Sequence, residues 1–239
     1  MERLQKRIAS LGYCSRRKAE ELIKEGKVKV NDSVVTELGY KVEDKDQIKV
    51  DDILLEGEQK VYFLLNKPRG VVCTTEDDKN RKIITSLIDT NLRIFPVGRL
   101  DYDTSGLLLI TNDGELSNKL THPSGNIKKT YYVKCSGLVK NDEIKQLEKG
   151  VLLDGVKTKK AFAKLKKYDK KNDKSYVEIT ISEGRNHQVK NMFDVVGHKV
   201  LKLKRTNYAF LNLDNMKIGE YRSLTKKEVH ELYALASQK

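Results

Sequence analysis

Apolar residues recur at helical spacing in the first thirty residues of the chain. Leu4, Ile8 and Leu11 would share one face of a first helix. The stretch RRKAEELIKEG predicts a second helix, which Ser15 can cap and Gly26 can end. The stretches KVKVN, VVTEL and DQIKVDD then predict short strands. Together these patterns predict a compact module of two short helices and a small sheet.

Longer strand patterns begin at Val61. VYFLLNKPRGVV, TYYVKCS and SYVEITISE each predict a strand, and the four apolar residues from Leu107 to Ile110 predict a buried one. HQVKNMFDVVG predicts a helix, and a capping box from Thr225 to Glu228 predicts a last one. Strands follow one another without regular alternation with helices. We therefore expect an α+β fold with a mixed, mostly antiparallel sheet and flanking helices.

Polar stretches predict the connections between these elements. DDILLEGEQK (51–60) predicts a linker, the segment 112–114 predicts a turn, and KKYDKKNDK (166–174) predicts a hairpin loop. The linker divides the chain into an N-terminal module, residues 1–60, and a larger domain, residues 61–239.

Net charge is the compositional feature that bears most on function. The 239 residues carry a formal charge of +13, which favours an anionic partner, nucleic acid first and a membrane surface second. We find no basic amphipathic helix of the kind that binds membranes and no apolar run that could span one. The N-terminal stretch MERLQKRIAS lacks a signal-peptide core, so we expect a cytoplasmic protein. Three widely spaced cysteines predict neither a disulfide framework nor a metal site.

Basic side chains concentrate on the two N-terminal helices. Arg16 and Arg17 fall in the first turn of the second helix, where the helix dipole disfavours cations unless an anion binds there. An ordinary solvated basic face is the alternative. The candidate phosphate-binding residues are Arg3, Lys6, Arg7, Arg16, Arg17 and Lys18. The stretch from Arg3 to Val35 also resembles the S4 RNA-binding domain, and that resemblance implies binding to structured RNA.

The stretch GRLDYDTSG places charged residues directly ahead of the buried strand, at the rim of the predicted sheet. Asp101 lies between Arg99 and the hydroxyls of Thr104 and Ser105, which could keep its carboxylate ionised. The alternative is a loop whose carboxylates only cap or pair. A nucleotide-phosphate loop is a poor fit, because neither GxGxxG nor GxxxxGK[ST] occurs.

The longer string GRLDYDTSGLLLITNDGEL resembles the catalytic motif of pseudouridine synthases, in particular the RsuA/RluB branch, whose members join an S4 domain to a catalytic domain. LLNKPRGVV, KKTYYV and EGRNHQVKNMF resemble three further motifs of that family in the expected order. The resemblance implies that Asp101, and not Asp103, is the catalytic carboxylate. It also implies that Tyr131 is the active-site tyrosine and that Lys190 pairs with Asp101.

The resemblance assigns a role to each residue. Asp101 would either attack the target nucleotide or remove a proton from its sugar, while Tyr131 would stack on the base. The residues implied to bind the substrate are Arg99, Arg185, Asn186 and Gln188. His187 fits the start of a helix better than an acid or base.

The implied function is a cofactor-free, metal-free and monomeric pseudouridine synthase. Its partner would be ribosomal RNA, most closely the 23S rRNA of RluB-like members, with no membrane partner. An RsuA-like enzyme acting on 16S rRNA is the alternative within the family. Outside it, a non-catalytic S4 RNA-binding or ribosome-assembly factor would use the basic module without turnover. A hydrolytic base-removing enzyme would use a pair of carboxylates and a water molecule.

Overall fold

The computed structural model describes residues 1–237, and they divide into two compact units. The first unit contains Met1–Val61, Thr90–Ile94 and Asn112–Gly114. The second contains Tyr62–Asp89, Phe95–Thr111 and the described chain from Glu115 onward.

The first unit contains two helices and six short strands. In chain order they are β1 (Glu2–Arg3), α1 (Leu4–Ser10), α2 (Arg16–Lys24), β2 (Val28–Val30), β3 (Ser33–Val34), β4 (Lys41–Val42), β5 (Ile48–Val50) and β6 (Ile53–Leu54). An antiparallel sheet has the order β3-β2-β5-β6, and β1 pairs with β4. The apolar faces of both helices pack with Val28, Ile48 and Val50 in one core.

Most local signals in this unit act as the sequence predicts, but the strand predicted at VVTEL is wrong beyond Val34, where β3 ends. The Ser15 side chain accepts a hydrogen bond from the Lys18 amide and caps α2. The prediction for residues 51–60 is wrong in one part, because Ile53 and Leu54 form β6 instead of a linker. Asp51 and Asp52 adopt left-handed φ angles in a tight turn, and this turn returns the chain to the sheet.

The second unit contains four α-helices and eleven strands within the described residues. They are β7 (Tyr62–Lys67), β8 (Phe95–Pro96), β9 (Ser105–Thr111), α3 (Gly114–Thr121), β10 (Lys129–Ser136), α4 (Asn141–Lys149), β11 (Leu152–Leu153), β12 (Val156–Lys157), β13 (Phe162–Asp169), β14 (Lys174–Ile181), α5 (Gln188–Val195), β15 (Val200–Tyr208), β16 (Leu211–Asn212), β17 (Tyr221–Ser223) and α6 (Lys226–Ser237). Two short 3₁₀ helices cover Ile84–Leu87 and Pro123–Gly125.

One large sheet organises this unit. Its main order is β13-β14-β10-β15-β9-β7-β17, with β16 beside β15 and β8 beside β9. Every pairing is antiparallel except that of β9 with β15. The predicted α+β class with a mixed, mostly antiparallel sheet is confirmed.

Two of the predicted polar connections differ from the structure. The predicted loop 166–174 is shorter, because β13 continues to Asp169 and β14 begins at Lys174. Alternating burial along β14 fixes the pairing of these strands despite the many lysines on β13. The predicted turn at residues 112–114 leads directly into α3, so Gly114 is already helical. Within residues 1–237, no helix combines the length and apolar character needed to cross a bilayer.

Candidate active site

Asp101 and Asp103 lie in the loop that leads into β9. The Asp101 side chain is 25% exposed and the Asp103 side chain is 55% exposed. Lys190, in the first turn of α5, places Nζ 3.0 Å from Oδ2 of Asp101 and 2.7 Å from Oδ1 of Asp103. One ammonium group therefore bridges two carboxylates, whereas the sequence predicted a pairing with Asp101 alone.

Electrostatics keeps this cluster ionised. The hydrogen bond from Lys190 is the main reason that the pKa of Asp103 lies below its usual value. Burial by itself would lower the pKa of Lys190, but its hydrogen bonds to Asp103 and Asp101 outweigh that effect and raise the pKa. Lys190 is therefore a cation, and Asp103 an anion, at neutral pH.

A second lysine, Lys67, lies beneath the loop. It is fully buried at the end of β7, and its Nζ donates to the carbonyl oxygens of Pro68 (3.0 Å), Asp101 (3.2 Å) and Thr104 (3.0 Å). Burial lowers the pKa of Lys67. This ammonium group fixes the backbone around Asp101. No role was predicted for Lys67, although a lysine at the end of a largely apolar strand is the signal that could have found it.

The hydroxyl predicted to help hold the Asp101 carboxylate does not do so. The Thr104 hydroxyl is buried and has no hydrogen-bond partner in the described structure, so this expectation is wrong for Thr104. The Thr104 amide instead donates to the Asp101 carbonyl oxygen over 3.1 Å. Arg69 adds a further backbone contact, from its Nε to the Asp103 carbonyl oxygen over 2.8 Å. Backbone hydrogen bonds therefore define the shape of the loop.

An inner pocket opens beside Asp101. Tyr131, Leu203 and Val189 also line it, so a carboxylate shares the pocket with an aromatic ring and two apolar side chains. Tyr131 is buried on β10, where the pairing register places it between Ile179 and Arg205. A central strand of the sheet thus holds the ring next to the carboxylate, in surroundings that suit a planar base.

An outer pocket adjoins the same aspartate and is rich in charge. Its charged lining residues are Glu76, Asp77, Arg81, Arg99, Asp101, Asp103 and Lys190, with His187 beside them. Arg81 hydrogen bonds Asp77 and lowers the pKa of that carboxyl to about 2. Four carboxylates and three permanent cations leave this pocket with a small net negative charge.

Of the four residues predicted to bind the substrate, two have free side chains and two bind other parts of the protein. Arg99 is exposed and lines both pockets, and Asn186 is exposed in the loop before α5. Arg185 lines the inner pocket, but its guanidinium donates to the carbonyl oxygens of Val156 and Lys157. Gln188 is buried and accepts from the Arg185 amide.

His187 occupies the position before α5. Its φ is 51°, in the left-handed region, and its Nε2 lies 3.7 Å from Oδ1 of Asp101. The residue is exposed and lines both pockets. Its position agrees with the expected helix start.

The six predicted phosphate-binding residues lie in the first unit. Arg16, Arg17 and Lys18 are exposed in the first turn of α2, and Lys18 pairs with Glu21. The others lie on β1 and α1, where Arg3 is exposed, Lys6 pairs with Glu2, and Arg7 pairs with Glu2 and Asp44. Within residues 1–237, Arg3, Arg16 and Arg17 have no acidic group within 4.0 Å, and their guanidinium groups remain open to a ligand.

Neither the cysteines nor the acidic residues form a metal site in the part of the chain described. Cys14, Cys73 and Cys135 are free thiols. No group of three His, Cys, Asp or Glu side chains between residues 1 and 237 could hold a metal ion.

Comparisons with known proteins identify the family. The model of the RNA pseudouridylate synthase family matches residues 61–194, which include the aspartate loop, Tyr131 and Lys190. The chain belongs to this family. The S4 domain model matches residues 2–48, so the synthase carries an N-terminal S4 domain.

Individual relatives agree with this assignment. The synthase is 56% identical to ribosomal large subunit pseudouridine synthase B of Bacillus subtilis, over 99% of this chain and 97% of that protein. It is 40% identical to an uncharacterized RNA pseudouridine synthase of Aquifex aeolicus, over 98% of this chain and 97% of that one. A crystal structure of a pseudouridylate synthase superposes with a TM-score of 0.71 and 36% identity, over 97% of this chain and 100% of that chain. The synthase thus has the pseudouridine synthase fold.

Proposed function

We propose that this synthase converts a uridine of 23S ribosomal RNA to pseudouridine, with Asp101 as the catalytic carboxylate. The observation that carries the proposal is the Asp101 carboxylate, 3.0 Å from the Lys190 ammonium and in the same pocket as Tyr131. The Bacillus relative, named for the large ribosomal subunit, supports the choice of 23S over 16S rRNA. A ribosomal RNA substrate also supports a cytoplasmic location.

The reaction breaks the bond between N1 of uracil and C1′ of the ribose, turns the base, and joins C5 to C1′. C5 loses its proton as the product forms and N1 gains one, so atoms balance over the reaction and neither an external oxidant nor a water molecule is consumed. The protein must supply a charged carboxylate in a confined pocket and a surface that holds the detached base. Asp101 and Tyr131 fit these two requirements.

Lys190 has a supporting role in this proposal. Its ammonium lies 3.0 Å from the Asp101 carboxylate and would hold that side chain in place, either for attack on the nucleotide or for removal of a sugar proton. The exposed Arg99 would bind a phosphate beside the target nucleotide. Arg185 and Gln188 would act on the substrate through the backbone that they hold, and Asn186 would contact the RNA directly.

The two aspartates of the loop differ in a way that favours Asp101. Asp101 lines both pockets, whereas Asp103 lines only the outer one and is more exposed. Loss of Asp103 would leave Lys190 paired with Asp101 alone. Asp103→Asn is therefore a matched control for Asp101→Asn.

The test is incubation of unmodified 23S and 16S rRNA with the wild type and both variants, followed by pseudouridine mapping at nucleotide resolution. We expect a new pseudouridine in 23S rRNA with the wild type. We expect a loss of at least about a thousandfold in rate for Asp101→Asn and of less than about tenfold for Asp103→Asn. RNA binding should persist in both variants.

Each other outcome has a distinct meaning. Modification of 16S rRNA alone would show that the substrate is the RNA of the small ribosomal subunit. An Asp101→Asn variant with wild-type activity would remove Asp101 from the catalytic role. Release of free uracil would indicate hydrolysis, because isomerisation leaves the mass of the RNA unchanged. A folded wild type that binds both RNAs and modifies neither would favour a binding factor.

We further propose that residues 1–60 form the RNA-binding domain and residues 61–239 the catalytic domain, acting as a monomer without a cofactor. The S4 match and the exposed arginines of α2 support the first assignment. The second assignment is supported by the second unit, which contains the aspartate loop, Tyr131 and Lys190.

A further inference from the structure

The hairpin of β11 and β12, residues 152–157, exposes apolar side chains beside the candidate active site. Leu152 is 64% exposed and Val156 is 57% exposed. Asp154 and Gly155 form the turn, and their positive φ angles are those of a tight two-residue hairpin. Exposure of two branched apolar side chains on so short an element is unfavourable in water. A binding partner that covers them would remove this penalty.

The hairpin is joined directly to the segment that borders the inner pocket. The two terminal nitrogens of Arg185 donate to the carbonyl oxygens of Val156 and Lys157, both over 2.9 Å. Arg185 itself lines the pocket that contains Asp101. Anything bound to the hairpin is therefore next to the site of chemistry.

A second connection reinforces the first. The Glu183 carboxylate accepts from the Lys159 amide over 3.0 Å and from Nε2 of Gln188 over 2.6 Å. It also lies 3.6 Å from Nε of Arg185. The chain just after the hairpin is thus fixed to both ends of the segment 183–188. This network explains why Arg185 and Gln188 bind protein groups instead of facing solvent.

The charge around the hairpin indicates the chemistry of its partner. Residues 157–167 contain six lysines and no acidic residue. Lys157 and Lys160 are exposed, and neither has an acidic partner within 4.0 Å in the described structure. Apolar side chains framed by unpaired lysines match a nucleic-acid strand, in which bases offer apolar faces and phosphates offer negative charge.

We propose that the hairpin contacts the unpaired strand of the substrate RNA next to the target uridine. Leu152, which shares one face of the hairpin with its cross-strand neighbour Lys157, packs against a base, and Lys157 and Lys160 meet the phosphates. An apolar side chain between bases weakens their stacking, so the hairpin also helps the target nucleotide leave the stack. This inference rests on the proposed function, because it needs an RNA substrate in the Asp101 pocket.

Single-turnover kinetics on unmodified 23S rRNA tests the apolar contact. The variant Leu152→Ser is compared with the wild type and with Ile218→Ser. Ile218 is a suitable control because it is 66% exposed and precedes β17, at the opposite edge of the large sheet. We expect the enzyme concentration for half-maximal rate to rise about tenfold in the hairpin variant and to stay unchanged in the control.

A second variant tests the contribution of the lysines to RNA binding. It also tests the proposal if the apolar variant does not fold. Lys157→Gln/Lys160→Gln changes only long exposed side chains. It should reduce the slope of log binding constant against log salt concentration by about one to two. A slope and a half-maximal concentration equal to those of the wild type would overturn the proposal.

Two further outcomes separate this proposal from others. Hairpin variants that lose activity only on ribosomal particles, with naked rRNA modified normally, would overturn it in favour of a protein partner. A photo-crosslinker at position 152 should react with nucleotides adjacent to the mapped pseudouridine, and crosslinks only to distant RNA would contradict it. If the wild type forms no pseudouridine, the proposed function itself fails, and this result is distinct from unaltered kinetics in the hairpin variants.

Discussion

Two lysines support the aspartate loop in different ways. Lys190 neutralises side chains, because its ammonium contacts the carboxylates of Asp101 and Asp103. Lys67 contacts only backbone, with its Nζ on three carbonyl oxygens around the loop. The first contacts the side chains of the loop and the second contacts its backbone. Substitution of each should therefore have a different effect.

Replacement of Lys67 should affect folding and catalysis together. In Lys67→Met three carbonyl oxygens lose their donor, one in a buried and two in part-buried hydrogen bonds, so we expect the free energy of unfolding to fall by roughly 2–3 kcal/mol. The rate of pseudouridine formation should fall as well, because the Asp101 backbone loses its anchor. Urea denaturation and single-turnover rates measure the two effects. Lys128→Met, at an exposed position in the same unit, is the control, and equal behaviour of the two variants would contradict the role of Lys67.

The motif order in the sequence was enough to predict which acidic, aromatic and basic residues would meet at the site. Asp101, Tyr131 and Lys190 do line adjoining pockets. Contacts to the backbone were beyond such reasoning, because a motif names side chains and does not show which carbonyl oxygens lie within their reach. For this reason the role of Lys67 was not predicted, and Arg185 was predicted to bind the substrate instead of the β11–β12 hairpin.

At the scale of elements, the junction between β9 and β15 is the shortest pairing along the main strand order of the large sheet. Only Lys204 with Ser105 and Arg205 with Gly106 are paired across it, and it is the one parallel pairing. A buried arginine reinforces it, since Nε of Arg205 donates to the Leu107 carbonyl oxygen over 2.7 Å. This junction joins the strand that follows the aspartate loop to the strand beside Tyr131.

Gly106 is the residue that permits this close approach. Its φ is +110°, and a Cβ atom there would collide with the backbone carbonyl oxygen of Arg205. We expect Gly106→Ala to lower the free energy of unfolding by about 3 kcal/mol or more, and Gly219→Ala by about 1 kcal/mol. Gly219 is the matched control because its φ is +89° and a Cβ atom there would have no neighbour within 4 Å. Calorimetric melting of both variants is the measurement. Similar melting temperatures would show that the β9–β15 junction accommodates a Cβ atom at position 106 with little loss of stability.

Element prediction succeeded where the apolar pattern is strong and failed where it is weak. Val177, Ile179 and Ile181 identified β14 because every second residue is buried. The helices α3 and α4 were not predicted, since each buries only one or two residues and much of its sequence is polar. The parallel pair could not be predicted either, because it depends on contacts between segments about a hundred residues apart.

At the scale of the whole molecule, charge is the dominant property. The net charge of +13 favours association with RNA as a polyanion, with strong dependence on salt. The exposed arginines in the first turn of α2 are placed to use this attraction, because the amides there also favour an anion.

Removal of those two charges should therefore change the salt dependence of binding. For Arg16→Ala/Arg17→Ala we expect weaker binding to 23S rRNA and a slope of log binding constant against log salt concentration that is smaller by about 1.5. Lys24→Ala/Lys27→Ala removes the same charge from the other end of the helix and should change the slope less. Filter binding between low and physiological salt is the measurement. Equal slopes in the two double variants would show that the N-terminal turn of α2 does not contact the RNA.

The outer pocket has the opposite sign to the molecule that carries it, since four carboxylates there face three cations. The phosphate of a single uridine nucleotide would be repelled at this pocket. Few of the lysines elsewhere on the surface would be close enough to compensate. A long polymer reaches many of those lysines at once and is drawn in despite the local field. The reversal of sign at the entrance therefore favours a long RNA over a free nucleotide.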